Sequence, residues 1–380
     1  MAVVLICALD PDERLERLVR ALAPRPVVVV DDGSGPGAAA ALAAVRALGA
    51  TVLTHPANRG KGAALRTGIG HVRAAHPGSA VVTADCDGQH TPEDVAAVEA
   101  ALGAHPDAIV LGERALVGDV PLRSRLGNAV SRGLFALASG VRVGDAQTGL
   151  RGLPAGALRW IGRVPGDRFE HEQRVLLEAA RRRVVLHGVP IATVYLDGNA
   201  SSHFRPIADS ARVLAPLLGP VLRFSALGLA CFALDALLVV ALTAVLGLAG
   251  LAALAARAVT AGVHFAVGRR WVFAAASGRT LDQARRYALL AVASAVVGAG
   301  ALQAAVAAGA ALLPAKLAID ACLAGLAYAA QRFGVFAPAA GGAAEAAPVP
   351  PATRAVPSSR SIPNRSIPNR SNPNPHLELP

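Results

Sequence analysis

The chain has 380 residues and a mass of 38.4 kDa, room for about two domains at roughly 100–200 residues each, so a single small binding module is excluded. Hydrophobic residues make up 53% and charged ones 17%, against about 25% charged in ordinary soluble chains. With a mean hydropathy of +0.45, a purely soluble enzyme does not fit. The net charge of +11 is carried almost wholly by arginine, since Lys61 and Lys316 are the only lysines, and aromatics are only 4% of the chain. Stacking platforms for single-stranded nucleic acid are therefore scarce, and no nucleic-acid partner is expected.

In chain order, residues 2–7 and 27–30 are short apolar runs bounded by turn residues, and 12–23 between them repeats apolar residues at helical spacing. The alternation continues with helix at 38–48, strand at 51–53, helix at 62–75, strand at 80–84, helix at 92–102 and strand at 108–111. This predicts an α/β domain built on a parallel sheet with both faces covered. The N-terminal run lacks a basic flank and is broken by acids, so it reads as a buried strand and not as a signal peptide. Cys7, Cys86, Cys231 and Cys322 form no C-x-x-C pair and suggest neither a disulfide framework nor a zinc site.

After Pro220 the composition changes. Four apolar stretches, at about 221–246, 251–273, 287–311 and 314–336, each approach the roughly 20 residues an α-helix needs to cross a bilayer. The connection around Gly247–Gly250 is uncharged, whereas the next carries Arg269, Arg270, Arg279, Arg285 and Arg286. The positive-inside rule places that second connection, the N-terminal domain and both termini in the cytoplasm. Residues 337–380, rich in Ala, Pro, Ser, Asn and Arg with RSIPN twice and then RSNPN, predict a disordered tail.

Several segments carry candidate chemistry. VVVVDDGSGPG (27–37) has the spacing G-x-G-x-G instead of G-x-G-x-x-G, with two acids where a pyrophosphate would approach, which argues against a dinucleotide fingerprint. GKG at 60–62 is open to two readings, a turn with a solvated lysine or a lysine near phosphates. In VVTADCDGQH (81–90) a strand ends in Asp85 and Asp87, followed by Gln89. Both carboxylates can reach one ion if the chain turns at Gly88, and such hard oxygens suit Mg2+ or Mn2+ bridging to a diphosphate. Within the apolar half, Asp235, Arg257, Lys316 and Asp320 are ionisable groups that either pair or line a polar path.

Taken in order, VVVVDDGSG, ADCDGQH, GDAQTGLRG (144–152), FEHE (169–172) and NASSHFRP (199–206) resemble glycosyltransferase family 2 over about residues 1–215, and within it the polyprenyl-phosphate hexose synthases of the dolichol-phosphate mannose synthase type. RFSALGLACFALD (223–235), GRRWVF (268–273) and QRFGVF (331–336) resemble a GtrA-like four-helix membrane domain, here 216–336. Departures from the family pattern are Cys7, Asp10, Cys86, Ala146 and His264. The resemblance implies a Rossmann-like GT-A domain of the nucleotide-diphospho-sugar transferase class, followed by an all-α transmembrane domain, in a multi-pass plasma-membrane enzyme.

It further implies that Val30, Asp32, Lys61, Asp85 and Asp87 bind the nucleotide-sugar donor and that Asp85, Asp87 and Gln89 hold Mg2+ or Mn2+. Arg114 would sit between donor and acceptor phosphates, and Arg123, Arg125 and Ser131 would hold the acceptor phosphate, with Asp87, Arg114 and Arg125 as the catalytic set. An arginine fork matches phosphate oxygens, although cytosolic arginines attracted to anionic lipid would look the same. Glu170 and Glu172 are positioning groups if the acceptor is a phosphate, and one of them is the base if it is a sugar hydroxyl. Ser201, Ser202, His203 and Arg205 precede an amphipathic stretch at 207–222 and would close over the donor.

The expected activity is inverting transfer of a hexose from GDP-mannose or UDP-glucose to polyprenyl phosphate for cell-envelope glycosylation, with a homo-oligomer left open. The alternatives are a polysaccharide-forming enzyme of the same fold and a non-catalytic nucleotide-sugar-binding transport or scaffold protein.

Overall fold

A computed structural model describes residues 1–114, 122–192, 206–273 and 279–336, with the backbone alone at 122–124 and 206–208. The Arg123 side chain, Ser201, Ser202, His203, Arg205 and the tail lie outside the described residues.

Strands β1 (Val3–Ala8), β2 (Val27–Asp31), β3 (Thr51–Thr54), β4 (Val81–Asp85), β5 (Ile109–Arg114), β6 (Arg151–Leu153) and β7 (Leu186–Ile191) form one seven-stranded sheet in the order β3-β2-β1-β4-β6-β5-β7. Between them run α1 (Glu13–Ala21), α2 (Ala39–Ala47), α3 (Lys61–Ala75), α4 (Pro92–Ala104), α5 (Leu122–Ser139), α6 (Leu158–Ile161) and α7 (Glu170–Arg182). Strand residues alternate between two cores, one on each face of the sheet. Val3 and Leu5 pack with Ile69, Val72, Leu158 and Leu176 on one face. Val4 and Ile6 pack with Leu15, Leu18, Val45 and Val98 on the other. Each such aliphatic side chain contributes about 1.5–3 kcal/mol by leaving water.

The sheet is mixed, which corrects the all-parallel expectation. β6 runs antiparallel between β4 and β5, pairing Leu153 with Val81 and Gly152 with Val110. Three residues are too few to show a period, and a reversed strand needs no helical crossover. The reversal matters for the site: because Arg151 pairs with Thr83, the residues just before β6 lie at the C-terminal end of β4.

Among the described residues, four helices are long and apolar enough to cross a membrane: α8 (Pro206–Leu246), α9 (Ala249–Val267), α10 (Thr280–Ala307) and α11 (Leu312–Ala330). π-helical turns at Gly268–Val272 and Gln331–Val335 extend α9 and α11. The first apolar helix begins earlier than its apolar run, since the stretch from 206 and the span form one helix. Its first turns belong to the α/β domain, where Leu217 is fully buried in the core that holds Leu176 and Ala179.

Within the helical region Asp235 accepts a hydrogen bond from Thr260 at 3.1 Å and pairs with Arg257 at 3.4 Å, joining α8 to α9. Lys316 and Asp320 pair one turn apart on α11. At the end of the bundle nearest the sheet domain, Phe273 stacks on Phe336 with centroids 4.9 Å apart, beside Phe224 and Tyr328. Tyr328 Oη donates to Leu137 O at 3.2 Å and Arg332 donates to Ala138 O, so α11 is hydrogen-bonded to the end of α5.

Candidate active site

The site forms at the C-terminal ends of β1, β2 and β4, where adjacent parallel strands leave a crevice. Lys61, the first residue of α3, places its ammonium 2.8 Å from Asp85 Oδ1 and 3.2 Å from Glu172 Oε2. Gly60 makes this possible: its φ of +98° suits glycine, and a Cβ there would meet Asp167 O at 2.4 Å. Of the two readings of GKG, the lysine is therefore not a solvated one. Burial opposes its charge, but Asp85 and Glu172 outweigh burial and hold the ammonium above its ordinary range. Burial also pushes the Asp85 carboxyl up, while Lys61, His90 and Arg114 together pull it down to about 2. Asp85 is thus a fixed anion at neutral pH.

Asp87 lies two residues on, past the end of β4, with Gly88 at φ +78° making the expected turn. Burial first, and then the neighbouring Asp85 charge, push its carboxyl above the ordinary range. Asp87 Oδ1 accepts from the Gln89 amide at 3.0 Å. Oδ2 has no hydrogen-bond or ion-pair partner among the described residues. Two adjacent carboxylates, one with an unused oxygen, fit a hard divalent cation that completes its shell with water and phosphate oxygens.

Segment 144–150, delivered by β6, covers the cluster. A Cβ on Gly149 would lie 2.3 Å from Asp85 Oδ2 and 3.0 Å from Lys61 Nζ, so only glycine fits against the ion pair. Thr83 Oγ1 donates to Gly149 O at 2.8 Å. Arg151, 3% exposed, donates to Thr148 O and to Glu172 O, both at 2.9 Å, tying this segment to the start of α7. Arg114 Nε donates to the fully buried Asp145 at 2.6 Å, which fixes the guanidinium at the end of β5. His90 Nδ1 accepts from the Asp85 amide at 3.0 Å.

The structure thus joins Lys61, Asp85 and Glu172 directly, with Asp87, Gln89 and Arg114 around them. Other expected residues stand elsewhere. Val30 is fully buried between β1 and β3, so its side chain presents no surface to a donor. Asp32 is 4% exposed, and its carboxylate pairs with His55 Nδ1 at 2.7 Å and accepts from the Arg59 and Gly60 amides at 3.0 and 2.7 Å. It holds the start of α3, and both of its oxygens are in use.

Glu170 turns away from Lys61, because Oε1 accepts from the Asp167 and Arg168 amides. On a helix, residues two apart point about 200° from each other, so only Glu172 reaches the cluster. Arg125 is on the exposed side of α5, while Ser131 is fully buried with its hydroxyl unpartnered, so these two are not brought together. Gly149, Asp145, Arg151 and His90 were not singled out as site residues from the sequence. Their signal was present only as the acid and glycines of GDAQTGLRG and the His that closes ADCDGQH.

The family model for glycosyl transferase family 2 matches residues 4–150, and that for the GtrA/DPMS transmembrane domain matches 223–336. An uncharacterized protein of Methanocaldococcus jannaschii is 33% identical over 180 residues, 46% of this chain and 72% of that one. The UDP-N-acetylglucosamine–dolichyl-phosphate N-acetylglucosaminyltransferase of Methanococcus voltae is 30% identical over 151 residues, 38% of this chain and 59% of that one. Among solved structures, the mannosyltransferase PcManGT from Pyrobaculum calidifontis, in complex with GDP-Man and Mn2+, is 17% identical with a TM-score of 0.39. That match covers 88% of this chain and 87% of that one. Carrying a family 2 domain on a mixed α/β sheet and then a GtrA/DPMS domain with four apolar helices, the chain is a glycosyltransferase and belongs to glycosyl transferase family 2.

Proposed function

We propose that the protein is an inverting hexosyltransferase that moves a sugar from a nucleotide-sugar to a polyprenyl phosphate at the cytoplasmic face of the cell membrane. One observation carries this reading: the domain holding Lys61, Asp85, Asp87 and Glu172 is hydrogen-bonded, through Leu137 and Ala138, to the end of an apolar helix bundle. A substrate with a charged head and a lipid tail matches such a site. The GtrA/DPMS domain and the dolichyl phosphate in the M. voltae relative's name support the same acceptor class.

In this reading an acceptor phosphate oxygen attacks the sugar C1 from the face opposite the nucleoside diphosphate. The C1–O bond to the diphosphate breaks, and the diphosphate leaves with the electron pair. Charge develops on the leaving group, where fixed positive charge lowers the barrier most. Asp85 and Asp87, with Gln89, would hold Mg2+ or Mn2+, which neutralises the diphosphate when bound. Lys61 keeps Asp85 ionised and in place. Arg114, oriented by Asp145, offers its guanidinium to phosphate oxygens. The acceptor is already an anion, so no base is needed, and Glu172, shared with Lys61, positions the lysine. A sugar-hydroxyl acceptor would instead make Glu172 the base, since Glu170 faces the 167–168 turn.

The arginines at the second helix connection support a cytoplasmic position for that loop and the catalytic domain by the positive-inside rule. A cysteine at Leu248 should be labelled from outside the cell, and one at Leu281 should not. Labelling at Leu281 alone would reverse the topology.

The activity is tested by incubating membranes with labelled GDP-mannose, UDP-glucose or UDP-N-acetylglucosamine and a short polyprenyl phosphate. Label from one donor should move into an organic-extractable lipid. Donor binding without any transfer would favour the scaffold reading.

A further inference from the structure

A cavity of about 640 Å3 opens on the flank of the sheet domain, between the segment around α6, the outer face of α7 and α8. Arg159, Arg163 and Arg174 line it, and Arg181 and Arg182 line it too, against a single carboxylate, Glu178. Glu178 is already taken: Oε1 accepts from Arg182 Nε at 2.8 Å, and Oε2 lies 3.8 Å from Arg181. Arg159, Arg163 and Arg174 have no ion-pair partner among the described residues. The Trp160 ring shares the cavity, with the Arg182 guanidinium 5.1 Å from its centroid. Like charges gathered in a concave wall repel one another unless an anion sits among them.

The cavity has a definite place along the membrane axis. Pro216 of α8 lines it, and the adjacent Leu217 is fully buried in the sheet domain. Leu218 is 39% and Leu222 65% exposed, and they start an outward apolar run that continues through Leu229 and Phe232. At 1.5 Å per residue Pro216 precedes Leu218 by about 3 Å and Leu222 by about 9 Å, distances on either side of one headgroup layer. A bilayer's headgroup layer adds roughly 5–8 Å on each side of its hydrocarbon core. The cavity therefore stands at headgroup depth when α8 is in the membrane. It is also separate from the reacting centre, because Lys61, Asp85, Asp87, Arg114 and Glu172 do not line it.

We propose that this cavity is a second binding site that takes the phosphate of an anionic membrane phospholipid, with Arg159, Arg163 and Arg174 on the phosphate oxygens and Trp160 beside the glycerol. Guanidinium forks match phosphate oxygens in pairs, and an indole suits the boundary between water and hydrocarbon. The bound lipid clamps the flank of the catalytic domain to the bilayer, independently of which donor and acceptor the reacting centre uses.

The test uses the full chain purified in detergent and exchanged into phosphatidylcholine with or without phosphatidylglycerol. Native mass spectrometry should find phosphatidylglycerol retained in preference to phosphatidylcholine. The triple variant Arg159→Gln/Arg163→Gln/Arg174→Gln should weaken that retention by about tenfold or more. Arg17→Gln/Arg20→Gln/Arg46→Gln, which removes equal charge from α1 and α2, should not. Equal retention by the first variant and the wild type, or equal loss in both variants, would overturn the site.

A second readout does not depend on how the triple variant folds. In Trp271→Phe protein Trp160 is the sole tryptophan, and its emission should shift with dihexanoyl phosphatidylglycerol and stay unchanged with dihexanoyl phosphatidylcholine. No shift would contradict the proposal. The same shift with glycerol phosphate at equal concentration would assign the cavity to a free phosphate ester and overturn the lipid as its ligand.

Discussion

Lys61 Nζ lies 2.8 Å from Asp85 Oδ1, and this contact joins the first residue of α3 to the last residue of β4. Breaking such a mostly buried pair by removing one partner typically costs about 3–5 kcal/mol, because the remaining charge loses its compensation. Lys61→Met leaves Asp85 and Glu172 facing each other and should lower the melting temperature of the detergent-solubilised protein sharply. Lys61→Met/Glu172→Met should melt higher than the single variant. A double variant that melts lower would mean the carboxylates do not repel.

The same pair sets part of the acid stability. The Asp85 carboxyl is held at about 2, below its ordinary 3.8. Its contribution is complete above about pH 4 and is lost as pH falls from there through about 2. His171 acts over a higher window. Burial, and then Arg66 and Arg151, push its imidazole down to about 4 from an ordinary 6.5. The unfolded chain binds that proton more readily, so stability is highest above about pH 6.5 and falls as pH drops toward 4. His171→Gln should flatten denaturation curves across that window while leaving the slope below pH 4 in place. An unchanged slope between 6.5 and 4 would mean that His171 is not buried neutral.

Gly149→Ala tests the cover over the ion pair. The added methyl would meet Asp85 Oδ2 and Lys61 Nζ, so one of them must move. Transfer should fall by roughly ten- to a hundredfold in kcat/KM, with a smaller loss in melting temperature than Lys61→Met shows. Wild-type rates would mean that the placement of Asp85 is not critical.

The two glutamates and the arginine separate the acceptor chemistries. Arg114→Ala removes the guanidinium expected on phosphate oxygens and should cost roughly ten- to a hundredfold in kcat/KM. Asp145→Asn should cost less and act mainly on KM for the acceptor, because Asp145 acts by orienting Arg114. Glu172→Gln should reduce the rate moderately without removing a basic limb from the pH–rate profile, and Glu170→Gln should be nearly silent. A dead Glu172→Gln beside a normal Arg114→Ala would identify Glu172 as a general base.

Much of the fold was legible in the sequence because strands such as 27–30 are short apolar runs between turn residues and helices such as α1 repeat apolar residues at helical spacing. β6 was not, since three residues show no period and its antiparallel direction comes from pairing with β4 and β5. Within the site, Asp85 and Asp87 stood out because two acids end a strand. The role of Lys61 depended on Glu172, distant in the chain. Asp31 and Asp32 read alike in sequence, yet Asp32 is committed to His55 and the start of α3. The phase of α7 decides that Glu172, and not Glu170, faces Lys61, and no local residue pattern announces where that helix begins. The arginines lining the flank cavity come from α6, α7 and the turn between them, and only packing makes them a cluster.

A lipid phosphate as nucleophile is distinguished from a hydroxyl by comparing two acceptors of equal chain length, polyprenyl phosphate and the corresponding polyprenol. Initial rates are taken with the same labelled nucleotide-sugar and the purified full chain in lipid. A phosphate nucleophile predicts transfer to the phosphate with release of nucleoside diphosphate, and no transfer to the alcohol above background. Equal transfer to the alcohol, or label appearing only in a growing water-soluble polymer, would contradict it.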